Sequence, residues 1–195
     1  MPTIAAAYID NRVGNPLYKP WCQSATQANP KYVCRTDNAT LTWWAQSPID
    51  TTSSANDTTA ETSINATLSG SYNGTDLNVS HASSPVYSGS AETDIIYISN
   101  PGGFVTGDDG YTWCDNVAAA NSFKCDQQYV NFRYTSTTRP LACHETGHAV
   151  GLLHGANSNP TSSNQASALQ CMKKTVSSAD WHLGSNNTTS INNMY

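Results

Sequence analysis

Residues 143 to 155, CHETGHAVGLLHG, hold three of the chain's five histidines, all within eleven positions, together with one of its three glutamates. On a helix each residue advances about 100°. His144 and His148 therefore lie about 40° apart on one face, one turn from each other, with Glu145 about 60° from His148 on the same side. His154 breaks the pattern. On a continuing helix it would sit roughly 9 Å further along the axis and face away. For the three rings to meet, the chain must turn between positions 148 and 154, and Gly151 is the residue that tolerates a left-handed conformation at a helix end. The stretch predicts a helix, a glycine hinge and a third histidine folded back onto the first two.

The helix has its own start signals. In STTRPLACHETGHAVGLL, Thr138 is placed to cap it and Pro140 fits the first turn, while Leu141, Ala149, Val150, Leu152 and Leu153 supply an apolar surface. Elsewhere the pattern is that of strands. TLTWWAQ is one candidate and DLNVSH alternates Leu77 with Val79. TDIIYIS carries the unbroken run Ile95 to Ile98 of a central strand buried on both faces. QYVNFRY alternates Val130, Phe132 and Tyr134 with polar neighbours. TTSSANDTTAETS, residues 51 to 63, reads as a low-complexity surface loop. INATLSGSYNG is a weak helix opposed by Gly70 and Gly74, and NPGGFVTGDDGYTWC a loop or hairpin. The fold class is α+β, a small mixed sheet with one dominant helix. A length of 195 residues suits a single domain over 1-195. Residues 1-60 are either part of that domain or an N-terminal extension to it.

Charged residues make up only 12% of the chain, the net charge is −5, and the nine Lys and Arg are scattered. No basic stripe exists, so nucleic-acid binding has no electrostatic footprint. No apolar run reaches the length of a membrane span, and the first ten residues lack the basic start of a signal peptide. Six cysteines in a Lys-poor, Ser/Thr/Asn-rich chain favour disulfides and an oxidising, extracellular compartment. Fifteen pairings exist in principle. Cheap closure of short loops favours Cys22-Cys34, Cys114-Cys125 and Cys143-Cys171. The rival, a thiolate zinc site, would call for a C-x-x-C pair, and none occurs.

Three imidazoles leave a tetrahedral metal one open position, the catalytic rather than the structural arrangement. A purely structural histidine site would give the glutamate no role. HETGHAVGLLH fills every fixed position of H-E-x-x-H-x-x-G-x-x-H, the signature of the metzincin zinc endopeptidases. LQCMKK offers Met172 for the methionine turn that follows that signature, 18 residues after His154. The chain most resembles small secreted metzincins of bacterial, matrixin-like type. The likeness is firm over residues 137 to 172 and looser over 61 to 195, and the first 60 residues match no part of it. Two departures leave the subfamily unassigned: Gly155 follows the third histidine, and Lys174 stands where some relatives carry a tyrosine.

The resemblance implies a zincin fold with a Met-turn and one catalytic zinc on His144, His148 and His154. It further implies Glu145 as general base and a protein or peptide substrate lying extended above the helix. A secreted monomer is the expectation. Asp108 and Asp109 raise a calcium (Ca2+) site by analogy with some relatives, against their ordinary reading as a solvated turn. His81 and His182 are read as surface or satisfied histidines. The alternative reading, from another class, is a secreted zinc-containing binding module without catalysis, which the intact Glu145 disfavours. A zinc hydrolase acting on something other than peptides also stands beside it.

Overall fold

The computed structural model describes residues 8–26, 32–46, 49, 60–69, 74–102, 104, 107–134 and 137–195. The strands are β1 (Arg35–Thr36), β2 (Thr40–Ala45), β3 (Asn78–His81), β4 (Ile95–Ser99), β5 (Gly110–Val117) and β6 (Lys124–Phe132). The helices are α1 (Ala60–Leu68), α2 (Arg139–Ala149) and α3 (Ser185–Asn192). The architecture is mixed α and β. One six-stranded sheet runs in the order β1-β6-β4-β2-β3, every pairing along that path is parallel, and β5 is antiparallel to β6.

β4 lies between β6 and β2, which explains its unbroken apolar run. Ile95, Ile96 and Tyr97 are fully buried, and only Ile98 of the four is partly exposed. On the face toward α2, the Tyr97 hydroxyl meets the Thr146 hydroxyl at 3.0 Å and Gln128 Nε2 donates to Ala149 O at 3.1 Å. α1 packs beside α2, with the Thr67 hydroxyl donating to Cys143 Sγ at 3.3 Å. These contacts hold α2 against the sheet with its polar groups satisfied, as burial requires.

Several sequence expectations shift in detail. The low-complexity stretch ends inside α1, because Ala60 to Ser63 form its first turn; residues 51–59 lie outside the described region. The helix stops at Leu68, before Gly70, rather than running on toward Gly74. The glycine-punctuated stretch ending in YTWC contributes β5, one arm of a hairpin with β6. β6 begins at Lys124, four residues before the alternating run singled out by sequence. Val150, Leu152 and Leu153 lie beyond the end of α2 and are buried by the returning chain instead.

The early residues form part of the same sheet. β2 is an interior strand between β4 and β3. Ahead of it, Asp10 bridges to Asn159, Arg12 to Leu152 and Arg35 to Val150, all antiparallel. The disulfides join Cys22 to Cys34, Cys114 to Cys125 and Cys143 to Cys171, with Cα separations of 5.3, 5.8 and 5.9 Å. Among the described residues no helix is long and apolar enough to cross a membrane.

Candidate metal centre

α2 begins where the sequence places it. Thr138 has extended backbone and its side chain accepts from Leu141 N at 3.4 Å, with Pro140 in the first turn. The helix ends one residue before Val150, and Gly151 follows with φ of +90°. A side chain there would also be only 2.7 Å from Arg35 Cβ, so both backbone conformation and space call for glycine. Leu152 N then bonds to Gly147 O at 2.8 Å, closing the turn and sending His154 back toward the helix.

The three rings converge. His144 Nε2 lies 3.2 Å from His148 Nε2 and 3.1 Å from His154 Nε2. The other nitrogen is engaged by the backbone in two of the rings, His144 Nδ1 with Cys171 O at 2.7 Å and His148 Nδ1 with Leu152 O at 2.8 Å. A carbonyl can only accept, so both Nδ1 atoms carry the proton and both Nε2 atoms present lone pairs to the shared point. A tetrahedral metal with bonds of about 2.0–2.1 Å sets its nitrogens roughly 3.3–3.4 Å apart. The observed separations fit such an ion, and His144, His148 and His154 form a group able to hold a metal.

The surroundings keep the rings neutral. Burial first, and then the neighbouring His154, push the His144 pKa down to about 4. Burial lowers His148 well below its ordinary value, and burial with the nearby Lys174 charge lowers His154. Neutral imidazole is the form that ligates.

Glu145 stands beside the group without belonging to it. Burial raises its pKa to about 8, opposed by a bond from Thr112 and assisted by the Asp108 charge. The Thr112 hydroxyl on β5 lies 3.0 Å from Glu145 Oε2 and 2.9 Å from Glu145 O. Gly110, two residues earlier on β5, leaves the space the carboxylate occupies; a Cβ there would be 2.9 Å from Glu145 Cγ. Both Glu145 and the histidines line a cleft of about 580 Å³, to which residues 107–112 and Lys174, Thr175 and Val176 also contribute.

Met172 lies directly beneath. It is fully buried, and a Cβ at Gly147 would come within 2.2 Å of its sulfur. The Cys143–Cys171 bond ties the helix to the residue before Met172, whose carbonyl also holds His144.

Asp108 and Asp109 edge the same cleft. The Asp108 carbonyl accepts from Arg133 Nε, and the Asp109 carboxylate lies 3.7 Å from that guanidinium, so the pair brackets a cation already supplied by the chain. His81 rests on the Trp43 ring with centroids 4.2 Å apart, and His182 Nδ1 bonds to Leu183 O at 2.9 Å; neither joins the triad.

Sequence reasoning missed Thr112, whose partner is 33 residues away and leaves no local mark. It also passed over Gly147, although a signal was there. A glycine inside a helix costs roughly 0.5–1 kcal/mol relative to alanine, so it asks for a packing reason. Comparison with family models and with curated proteins finds no match to this chain.

Proposed function

We propose that the protein is a secreted, zinc-dependent endopeptidase of metzincin type. The observation that carries the reading is the meeting of three Nε2 atoms at 3.1–3.2 Å in an open cleft with a buried, non-ligating carboxylate alongside. Three nitrogen donors with one position left open is the donor set of catalytic zinc. The three disulfides accord with an oxidising compartment.

When bound, zinc supplies the Lewis acidity that activates water and polarises a peptide carbonyl. The remaining chemistry belongs to the chain. The carbonyls of Cys171 and Leu152 fix the tautomer and tilt of His144 and His148. Glu145 takes a proton from the attacking water and returns it to the leaving amine. Thr112 keeps the carboxylate aimed. The cleft lined by 107–112 and 174–176 has room for a peptide beside the histidines.

Casein hydrolysis abolished by a zinc chelator and restored by zinc is the expected result for the wild type. Glu145→Gln keeps stoichiometric zinc by elemental analysis while hydrolysis falls by about 10² to 10⁴. Loss of zinc from that variant would give Glu145 a ligand's role instead. A zinc-loaded wild type that cleaves no peptide would leave the binding-module reading in its place.

A further inference from the structure

Three described residues other than glycine have a left-handed φ. Two are asparagines, Asn100 and Asn121, a type that tolerates it. The third is Gln170, with φ of +46° and ψ of −121°. It breaks the short helical run Ser167–Met172 in two and stands immediately before Cys171, whose carbonyl holds His144 Nδ1 at 2.7 Å. Such a conformation is costly for a residue with a Cβ, and it persists only where the surroundings over-determine it.

α3 supplies those surroundings. Gly184, the residue ahead of it, lies against the Gln170 side chain, and a Cβ there would be 2.6 Å from Gln170 Cγ and 3.6 Å from Gln170 Cβ. Asn187, fully buried in the first turn of α3, donates from Nδ2 to Leu169 O at 2.7 Å and so grips the peptide on one side of Gln170. On the other side Gln170 O accepts from Lys173 N at 3.1 Å, while Gln170 Nε2 donates to Ser167 O at 3.1 Å. With both flanking peptides held, the dihedrals of Gln170 set how the chain enters Cys171. A carbonyl turned away there would leave the N–H of His144, only 8% exposed, without its acceptor. His148 relies on a different carbonyl, Leu152 O at 2.8 Å, delivered by the turn at Gly151.

We propose that Gln170 and Gly184 are positioning residues for the metal centre: α3 clamps the left-handed turn at Gln170, and that turn aims the Cys171 carbonyl at His144. The inference rests on the zinc reading for its consequence, since the partner of a ligating ring typically carries about 10- to 100-fold in metal affinity. It gives a task in the centre to α3, none of whose residues lines the cleft.

Gly184→Ala tests the clamp in both the metal-free and the zinc-loaded protein. In the metal-free form, nitrogen-edited NMR follows the Nδ1–H of each ring. The His144 signal is expected to shift or to lose its protection from exchange, while the His148 signal stays in place. Zinc affinity, measured by competition with a chelator, falls about tenfold or more. Adding Gln170→Gly restores both, because glycine removes the conflicting Cγ and takes φ of +46° without strain. Should Gly184→Ala not fold, Gln170→Val displaces the turn from the other partner, since a β-branched residue fits that φ poorly. An unchanged His144 signal and unchanged zinc affinity in these variants overturn the clamp and leave the zinc reading in place. Equal loss of the His144 and His148 signals also overturns it, because it marks general loosening. A wild type that binds no zinc, with the selective His144 response intact, would sink the zinc reading and leave the clamp.

Discussion

The stretch from Thr138 to His154 and the seam between the two ends of the chain are built on opposite principles. The first is local: cap, helix, hinge and all three histidines lie within seventeen consecutive residues. The second joins positions some 140 to 180 apart through short polar side chains. Asn11 is fully buried; its Nδ2 donates to Leu153 O at 3.0 Å and to Asn187 Oδ1 at 3.1 Å, and its own carbonyl accepts from Leu153 N at 2.6 Å. Ser190 and Asn186 of α3 donate to Asn11 Oδ1 at 2.9 and 3.3 Å. Asn187 reaches on to Leu169 O at 2.7 Å, near the turn that carries Met172. The motif supplies the three histidines, but the seam holds the returning segment that delivers His154. A ligand set can be local in sequence and still depend on the chain ends for its geometry.

The same seam bears on glycosylation. Asn186 and Asn187 each head an N-x-S/T sequon, yet both amides are committed to the interior contacts just described.

The sharpest way to separate the two regions is to remove His154. His154→Ala should weaken zinc binding by orders of magnitude, since two ligands on one helix make a poor site, while the metal-free protein unfolds near the wild-type temperature. Competition with a chelator of known affinity, beside calorimetry of the metal-free form, checks both halves. A metal-free His154→Ala protein that fails to fold would show that the ligand is part of the framework.

Next in size is the bond beside the three histidines. Cys143 and Cys171 are 28 residues apart, and loop-closure arithmetic gives about 3.6 kcal/mol for a loop of that length. The double variant Cys143→Ala, Cys171→Ala should lose about that much in denaturant unfolding and release zinc more readily with all three histidines intact. Unchanged zinc affinity would mean the carbonyl of Cys171 holds His144 without help from the bond.

Asn11→Ala tests the seam itself. It strands buried groups on Leu153, Asn187 and Ser190, at an expected cost of about 2–3 kcal/mol. If stability falls but the zinc affinity of the folded protein does not, the seam supports the fold and His154 finds its place unaided. If both fall together, the comparison drawn above stands.

The smallest effect concerns the cleft wall at 174–176. Asp180, 4% exposed, accepts from Lys173 Nζ at 2.6 Å and from Ser177 N and Oγ at 3.0 and 2.8 Å. Burial alone would raise its pKa, but these partners outweigh it and hold the carboxyl below its ordinary range. A folded-state pKa below the unfolded one contributes stability above the unfolded value, near 4, that is lost as pH falls through the folded value. Asp180→Asn should cost about 1–2 kcal/mol at neutral pH and flatten the melting-temperature profile below about pH 4. An unaltered acid limb would place the acid sensitivity elsewhere.

Much of the site was legible because its logic is short-range. Helical angles put His144 and His148 on one face, and the conformational freedom of Gly151 marked the only plausible return for His154. The disulfide partners followed from the low entropy cost of short loops, and the structure forms the same three bonds. Two features stayed dark for a common reason. Thr112 is an ordinary strand threonine until the β5–β6 hairpin lays it over Glu145. Asn11 and Asn15 are polar residues in a turn-rich lead until residues 151–157 come alongside.

The sequence by itself therefore determined the ligand types, their spacing and the point where the helix must break, because backbone dihedrals and side-chain periodicity act over a few residues. The tertiary structure decided which carbonyls fix the rings and what aims the glutamate. Those depend on hydrogen bonds and packing between residues that become neighbours only after the sheet has assembled, and no local pattern in the chain encodes who the neighbour will be.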